Sequence, residues 1–439
     1  MHFRFIALYG AILFSATPLY ADELSASVAA DYNDYLAELW DHFHRNPELS
    51  LVEFKTAKRM AEELHAAGFD VTEGVGGTGV VAMLENGAGP LVMMRADMDG
   101  LPVEERSGLP NASRAQQESP ITGETVFTMH ACGHDVHITS LVGTARQMVA
   151  RKDEWSGTLM LVVQPAEERG MGARMMREDA IWDRFGTPDY ALAFHVSAGS
   201  PAGTIFAPEG AIYAGADSVD IVVHGVGAHG ASPHRGKDPV LIGSQIVIAL
   251  QTLVSRELAP HEPGVVTVGS FHAGTKHNII SDRAHLQLTV RNTNAETREY
   301  LLNGIERIAT NVGRAAGLPE DLLPEVTVSN ESVPPTSNDE ALVRRLRNAW
   351  SEHLGDAVFY ERKREGMGAE DFPYFTVNPN IASVYWSIGG TPQADLDAEA
   401  AGGPMVPSHH SPLFRIAPEP SVRAGVESTV VALLTLLGD

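Results

Sequence analysis

The sequence predicts an α/β protein of two domains, the smaller inserted into the larger, and three observations predict it. From Asp22 to about Ala214, helix-like and strand-like apolar segments alternate, as in a domain built on a largely parallel sheet. From about Gly215 the order becomes β-α-β-β-α-β, the split βαβ sandwich of a ferredoxin-like α+β unit. Strands of the first region also run directly into polar clusters, which puts chemistry at one edge of the sheet. The boundaries read this way are an export signal over residues 1–21, a larger domain over 22–214 and 330–439, and an inserted domain over 215–329.

The first 21 residues start basic at Arg4, continue with an apolar stretch from Phe5 to Phe14, and end in small or helix-breaking residues before Ala21. That is the pattern of a secretory signal, too short to span a bilayer. It predicts cleavage near Ala21 and export to a periplasm or the medium. No cysteine follows the cleavage point, so no lipid anchor is expected. Cleavage would remove one basic and no acidic residue, leaving 31 Lys+Arg against 56 Asp+Glu, a net charge of −25. Such a surface disfavours nucleic acid and anionic membranes as partners.

In chain order, Phe54, Ala57, Met60, Ala61 and Leu64 recur at helical spacing, and GVVAMLE and PLVMMRA follow as buried strands. Ile138, Leu141, Val142, Ala145, Met148 and Val149 mark a second helix, then GTLMLVVQ and YALAFHV two more strands. In the insert, SVDIVVHG is a strand, residues 239–256 a helix, VVTVGSFHAG and AHLQLTVRN a strand pair, residues 297–315 a helix and PEVTVS a strand. PPTSND, residues 334–339, is a linker back to the larger domain, which resumes with the helix ALVRRLRNAWSEHL. TPQADLDAEAAGGP is compositionally biased and predicted to be a loop.

PLVMMRA leads into Asp97 and Asp99, GTLMLVVQ into Glu167 and Glu168, and YALAF into His195. Cys132 and His134, in MHACGHDVH, precede a helix starting near His134. Cys132 is the sole cysteine, so it has no partner for an internal disulfide. Thiolate, imidazole and carboxylate are the donors that zinc-type ions take, and two such ions side by side make a hydrolytic clamp. Adjacent carboxylates at a buried strand end need a cation or a proton to offset them. Pro165 excludes a helix interior at QPAEE, so one glutamate is expected to bind an ion while the other handles protons. His409 and His410, in PSHHSPLF, are late candidates; the choice between them depends on register, and the H-S-P spacing favours His410.

RADMDGLP, MHACGHD, VVQPAEE, AFHV, GVGAHGASPHRGKDPV, GAEDF and HHSPLF, in this order, resemble metallopeptidase family twenty. CGHD points to its amidohydrolase branch, which includes hippurate hydrolases, N-acyl-L-amino acid amidohydrolases and auxin-conjugate hydrolases. The resemblance runs from LWDHFHRNPELS to the end of the chain. It implies a zinc-exopeptidase-like catalytic domain holding two divalent ions, with the inserted domain forming a homodimer. Zn2+ suits a thiolate with imidazoles, while Mn2+, Co2+ and Ni2+ remain open by donor type.

The same resemblance implies roles. Cys132 would bridge the ions, His134 and His195 completing one and Glu168 and His410 the other. Glu167 would be the general base toward the metal-bound water. Asp99 would orient an imidazole ligand, while Asp97 would be structural. His229 would enter the partner subunit's site as an oxyanion donor, with His234 an ordinary loop residue. Asn278 and Arg291 would hold the substrate's α-carboxylate or carbonyl, and Gly389 and Gly390 would offer it backbone N–H groups. KHNIISDR departs from the usual lead-in of that loop. Asp135 is expected only to cap its helix, and His137 to be an ordinary side chain. The implied substrate is an N-acyl-L-amino acid; the alternatives are a metallo-carboxypeptidase or dipeptidase, or a non-catalytic metal-containing binding protein. Glu167, needed for proton transfer and not for ligation, argues against the last.

Overall fold

The computed structural model describes residues 17–361 and 366–438. The export signal expected over residues 1–21 thus lies, for its first sixteen positions, outside the described residues. The principal strands are β1 (Asp70–Val75), β2 (Gly79–Asn86), β3 (Leu91–Asp97), β4 (Gly157–Gln164), β5 (Tyr190–Pro201) and β6 (Ile205–Phe206). They continue with β7 (Gly215–His224), β8 (Gly264–Ala273), β9 (Arg283–Asn292), β10 (Glu325–Val328) and β11 (Ala382–Thr391). The principal helices are α1 (Thr17–Asp31), α2 (Ala37–Arg45), α3 (Phe54–Ala66), α4 (His134–Ala150), α5 (Pro239–Thr252), α6 (Ala295–Ala315), α7 (Glu340–Leu354), α8 (Gln393–Ala400) and α9 (Pro418–Leu437).

The main sheet has seven strands in the order β1-β2-β4-β3-β5-β11-β6. Its four inner strands β4, β3, β5 and β11 are mutually parallel. Alternating residues of each strand face opposite layers. Val92, Met94, Leu159, Leu161, Leu192, Phe194, Val384 and Trp386 join the core shared with α4 and α9. Met93, Met160, Val162, Ala191, Ala193 and Tyr385 face a second core with Met176, Trp182, Phe372 and Phe375. Burial on both faces explains why these strands read as nearly continuous apolar runs.

Chain order fixes where the sheet opens. From β3 the chain crosses to β4 on one side and then to β5 on the other, so the reversal of strand order falls at β3. Asp97 pairs with Gln164 at the ends of β3 and β4, and the β3–β5 pairing stops at Arg95 and Ala193. His195 pairs with Ser387 on the neighbouring strand. These parallel strands therefore deliver their polar ends to one crevice.

A four-stranded antiparallel sheet, β8-β9-β7-β10, lies within residues 215–328 and is covered by α5 and α6 around their own apolar core. The connections into and out of it run side by side, residues 336–338 pairing with Gly210–Tyr213. PPTSND is thus partly a strand. The segment expected as a loop, TPQADLDAEAAGGP, contains α8. Its Gln, Ala, Leu and Glu are good helix formers and Pro392 sits just before the first turn, so propensity decided what biased composition concealed.

Gly389 and Gly390, expected to offer N–H groups to the substrate, are not among the residues that line the cavity described below. Both are buried in β11. The Gly389 N–H already donates to the Thr204 carbonyl at 2.8 Å, and its own carbonyl accepts from Gly203 N–H and the Ser421 hydroxyl. A Cβ at Gly389 would lie 1.7 Å from the Pro201 carbonyl oxygen, and one at Gly390 2.9 Å from Val196 and Ile416 side-chain carbons. Glycine is needed at both positions because neighbouring chain runs against them. Gly389→Ala is accordingly expected to destabilise the protein by roughly 3 kcal/mol, the upper end for overpacking; an unchanged urea midpoint would contradict this account.

Candidate metal centre

The residues Cys132, Glu167, Glu168, His195, His409 and His410 line one cavity of about 580 Å³ at the carboxyl ends of the parallel strands. His195 reaches it from within β5, the others through constrained turns. Gly133 precedes α4 with φ +87°, and a Cβ there would lie 2.3 Å from Val196, so glycine is required both by conformation and by space. Ala166 turns the chain out of β4 with φ +49°, and Glu167–Arg169 form a single 3-10 turn. His410 has φ +66°, and its N–H donates to the Ala131 carbonyl at 2.8 Å, joining the HHSP loop to the Cys132 turn.

Donor atoms fall into several groups of three, two of which overlap at Cys132. Those of Cys132, His134 and His195 lie within 4.8 Å of one another, and so do those of Cys132, Glu168 and His410. Cys132 belongs to both. His410 Nε2 stands 3.2 Å from Glu168 Oε2. His134 Nε2 lies 3.9 Å from Glu167 Oε2 and 4.0 Å from Glu168 Oε1.

The ring protons show what these groups can accept. His134 Nδ1–H donates to the Asp99 carbonyl at 2.8 Å, which leaves a bare lone pair on Nε2. That atom is buried with no hydrogen-bond partner, as is Glu168 Oε1. His195 Nδ1–H donates to the Val196 carbonyl at 2.6 Å, so its bare Nε2 faces Cys132 Sγ at 3.4 Å. Imidazole, sulfur and carboxylate donors converging in a buried space suit a cation that displaces their protons.

The electrostatics agree. Burial, then the Glu168, Glu167 and Asp97 charges, push the Cys132 thiol well above its ordinary value. Burial and the carboxylates of Glu370, Glu168 and Asp371 likewise hold the Glu167 carboxyl far up. His134 is pulled down by burial, but Asp97 and Asp99 outweigh that and lift it to about 10. A cation opposes every one of these shifts in the direction that frees donors for ligation.

The surrounding side chains hold this arrangement. Asp99 accepts from Ser50 Oγ at 2.6 Å and from Glu168 N–H at 3.1 Å, so it backs both His134 and Glu168. Glu53, fully buried, accepts from the Ala166 N–H at 2.9 Å and the Thr78 hydroxyl at 2.6 Å, fixing the turn before Glu167. Arg95, also fully buried, pairs with Asp97, Glu370 and Asp371 at 2.8, 2.7 and 3.3 Å.

His137, expected to be ordinary, is buried between two elements. The Val196 N–H donates to its Nε2 at 2.9 Å and its Nδ1–H meets Asp97 Oδ1 at 2.5 Å. Its position three residues after His134 on α4 was the available signal, since that spacing shares a helix face. Asp135 does more than cap. It accepts from Val136 N–H and joins His44 Nδ1 at 2.8 Å, while His44 Nε2 lies 3.4 Å from Glu105. Nothing in HRNPELSLVE alone marked His44, Ser50 and Glu53 as supports of three different turns.

Of the remaining expected residues, Arg291 on β9 lines the cavity, half-buried. His229 and Asn278 are exposed and do not line it. They are neighbours on a small hairpin, where Ala228 and His229 pair with Ile280 and Ile279.

Comparison with known proteins gives the same direction. Residues 93–400 match peptidase family M20/M25/M40. A thermostable carboxypeptidase 2 from Saccharolobus solfataricus is 38% identical over 369 residues, covering 82% of this chain and 86% of that protein. A hippurate hydrolase from Campylobacter jejuni is 35% identical, covering 76% and 82%. Among solved structures, a Bacillus subtilis dinuclear metal-binding peptidase of the M20 family superposes with a TM-score of 0.73 at 26% identity, covering 93% of this chain and 100% of that one.

The His44 cluster makes a pH prediction. Burial pulls the imidazole down, but Asp135 and Glu105 together raise it from 6.5 to about 10. A folded pKa above the unfolded one stabilises fully below 6.5 and loses that contribution as pH rises through about 10. The stability advantage of the wild type over His44→Gln should therefore be full just below pH 6.5 and fade toward pH 10. Thermal midpoints of the two proteins measured across this window, if they kept a constant gap, would contradict the assignment.

Proposed function

Since the chain belongs to peptidase family M20/M25/M40 and is a hydrolase of that family, we propose that it is an exported, two-metal amidohydrolase. Its substrate in this reading is an N-acyl-L-amino acid, cleaved at the amide bond to a carboxylic acid and a free amino acid. The observation that carries the reading is Glu167: a carboxylate beside two donor triads that are complete without it, on the same cavity as the Arg291 guanidinium.

Two ions held by Cys132, His134 and His195 on one side and Cys132, Glu168 and His410 on the other would acidify a water and polarise the scissile carbonyl. Zn2+ suits the thiolate and imidazoles best, with Mn2+, Co2+ or Ni2+ compatible. Glu167 takes the proton of the attacking water and passes it to the leaving amine nitrogen, the two transfers a single general base can make in turn. Arg291 receives the α-carboxylate of the amino acid, for which its planar fork of donors is suited. Asp99 keeps His134 in the tautomer that leaves Nε2 bare.

A dimer completes this reading. Strand β8 lies at the edge of the inserted sheet, and Val240, Leu241, Ile248, Val265 and Phe271 on α5 and β8 are exposed apolar side chains. Joining that face to a second copy would bury them and pair the open edge. The exposed His229 and Asn278 would then be free to reach the partner's cavity, His229 as a donor to the oxyanion.

A carboxypeptidase or dipeptidase is the second reading, favoured by the 38% identity to a thermostable carboxypeptidase. Rates on benzoyl-glycine, acetyl-amino acids, long-chain acyl amino acids and dipeptides separate the two. Cleavage of acyl amino acids at far higher kcat/KM than dipeptides is expected, and the opposite order would overturn the proposed substrate class. Glu167→Gln should keep its metal and fold while losing at least about 10²-fold in kcat; full activity in that variant would sink the mechanism. Cys132→Ser is expected to lower metal content after gel filtration, and two retained ions per chain would refute sharing of that ligand.

A further inference from the structure

His409 is the histidine of the cavity that this mechanism leaves without a task. Its ring is held at 5.2 Å from the His195 ring and 5.0 Å from the Phe414 ring, centroid to centroid. Its two nitrogens meet unlike neighbours. The Ala198 backbone N–H lies 3.1 Å from Nε2, and since a backbone N–H can only donate, Nε2 must carry the lone pair. The ring proton of the neutral imidazole then sits on Nδ1, which faces Cys132 Sγ at 3.6 Å.

The contrast with His195 is what gives this meaning. Both imidazoles approach the same sulfur from within the same cavity, yet His195 presents a bare nitrogen and His409 presents N–H. A lone pair facing sulfur needs the thiol's own proton or, once the thiolate forms, a cation between them; an N–H facing sulfur is a hydrogen bond that the thiolate keeps. The adjacent His410, by contrast, turns its Nε2 to Glu168.

We propose that His409 is a positioning residue that donates a hydrogen bond from Nδ1 to the Cys132 thiolate, orienting and weakening the shared sulfur ligand without binding an ion itself. The proposal rests on the two-ion reading above. A hydrogen bond to a thiolate draws electron density from sulfur, so each ion it touches receives less and stays the stronger Lewis acid. The backbone of β5, through Ala198, selects the tautomer that makes this possible.

Cobalt(II) supplies a test that does not depend on turnover, because its bond to a thiolate gives a sulfur-to-metal absorption band in the near ultraviolet. Cobalt-loaded wild type should bind two ions and show a band that Cys132→Ser loses; no such band would overturn the two-ion reading and this proposal with it. With the band present, His409→Leu is expected to retain both ions and shift it to longer wavelength. Loss of an ion in that variant would make His409 a ligand, and an unmoved band would leave the contact without electronic effect; either overturns the proposal. A second measurement needs no variant. In zinc-loaded protein labelled with nitrogen-15 histidine, His409 should carry its proton on Nδ1, and a proton on Nε2 would refute the assignment.

Discussion

Buried negative charge in excess of buried positive charge is the constraint on which this structure depends. Asp97, Asp99, Glu370 and Asp371 are almost wholly enclosed, and Glu167 and Glu168 stand beside them. Arg95 is the permanent cation set among these groups, and it is itself fully buried. It neutralises Asp97 strongly enough to hold that carboxyl well below its ordinary range in spite of burial, with His134 and His137 assisting. Glu167 and Asp371 are pushed the other way. One guanidinium cannot answer so many carboxylates, and like charges in such a space are stable only with protons or with further cations.

The parallel sheet creates this excess by construction. β3 and β4 end together at Asp97 and Gln164, and β5 presents His195 beyond its last pairing with β3, so side chains far apart in sequence share one edge. The turns that bring the other donors to this edge are unfavourable ones: Gly133, Ala166 and His410 all have positive φ. For the two non-glycine residues such conformations persist only when the surroundings impose them. Those surroundings are visible in the Glu53 carboxylate on the Ala166 N–H and the Ala131 carbonyl on the His410 N–H. Precision at the donor atoms is thus maintained by residues that never touch them.

This division also explains what the sequence made legible. Donors could be read because polar residues at the ends of buried apolar runs break a strong pattern, as in VVQPAEE and YALAFHV, and because the strands themselves are unmistakable when buried on both faces. Supporting residues break no pattern. Ser50 and Glu53 lie in a short polar loop, where a serine and a glutamate are unremarked, and their partners are at positions 99 and 166. The glycines at 389 and 390 show the complementary case. As a Gly-Gly pair they carry no apolar pattern, yet they lie in a strand packed closely against its surroundings, which depends on atoms supplied by Pro201, Val196 and Ile416.

The chemistry of the shared donor follows from the same charge constraint. A carboxylate at position 132 would add one more negative charge to a crowded, buried group before any ion arrived. A thiol need not, because burial and the charges of Glu168 and Glu167 hold it in its neutral form until a cation is present to displace the proton. The chain can then fold around a site whose charge is completed by ligation, and the sulfur becomes an anion only where two cations would share it. With no second cysteine in the sequence, that sulfur has no intramolecular disulfide to enter. A lone thiol is protected on these terms: its reactive form exists when metal occupies it.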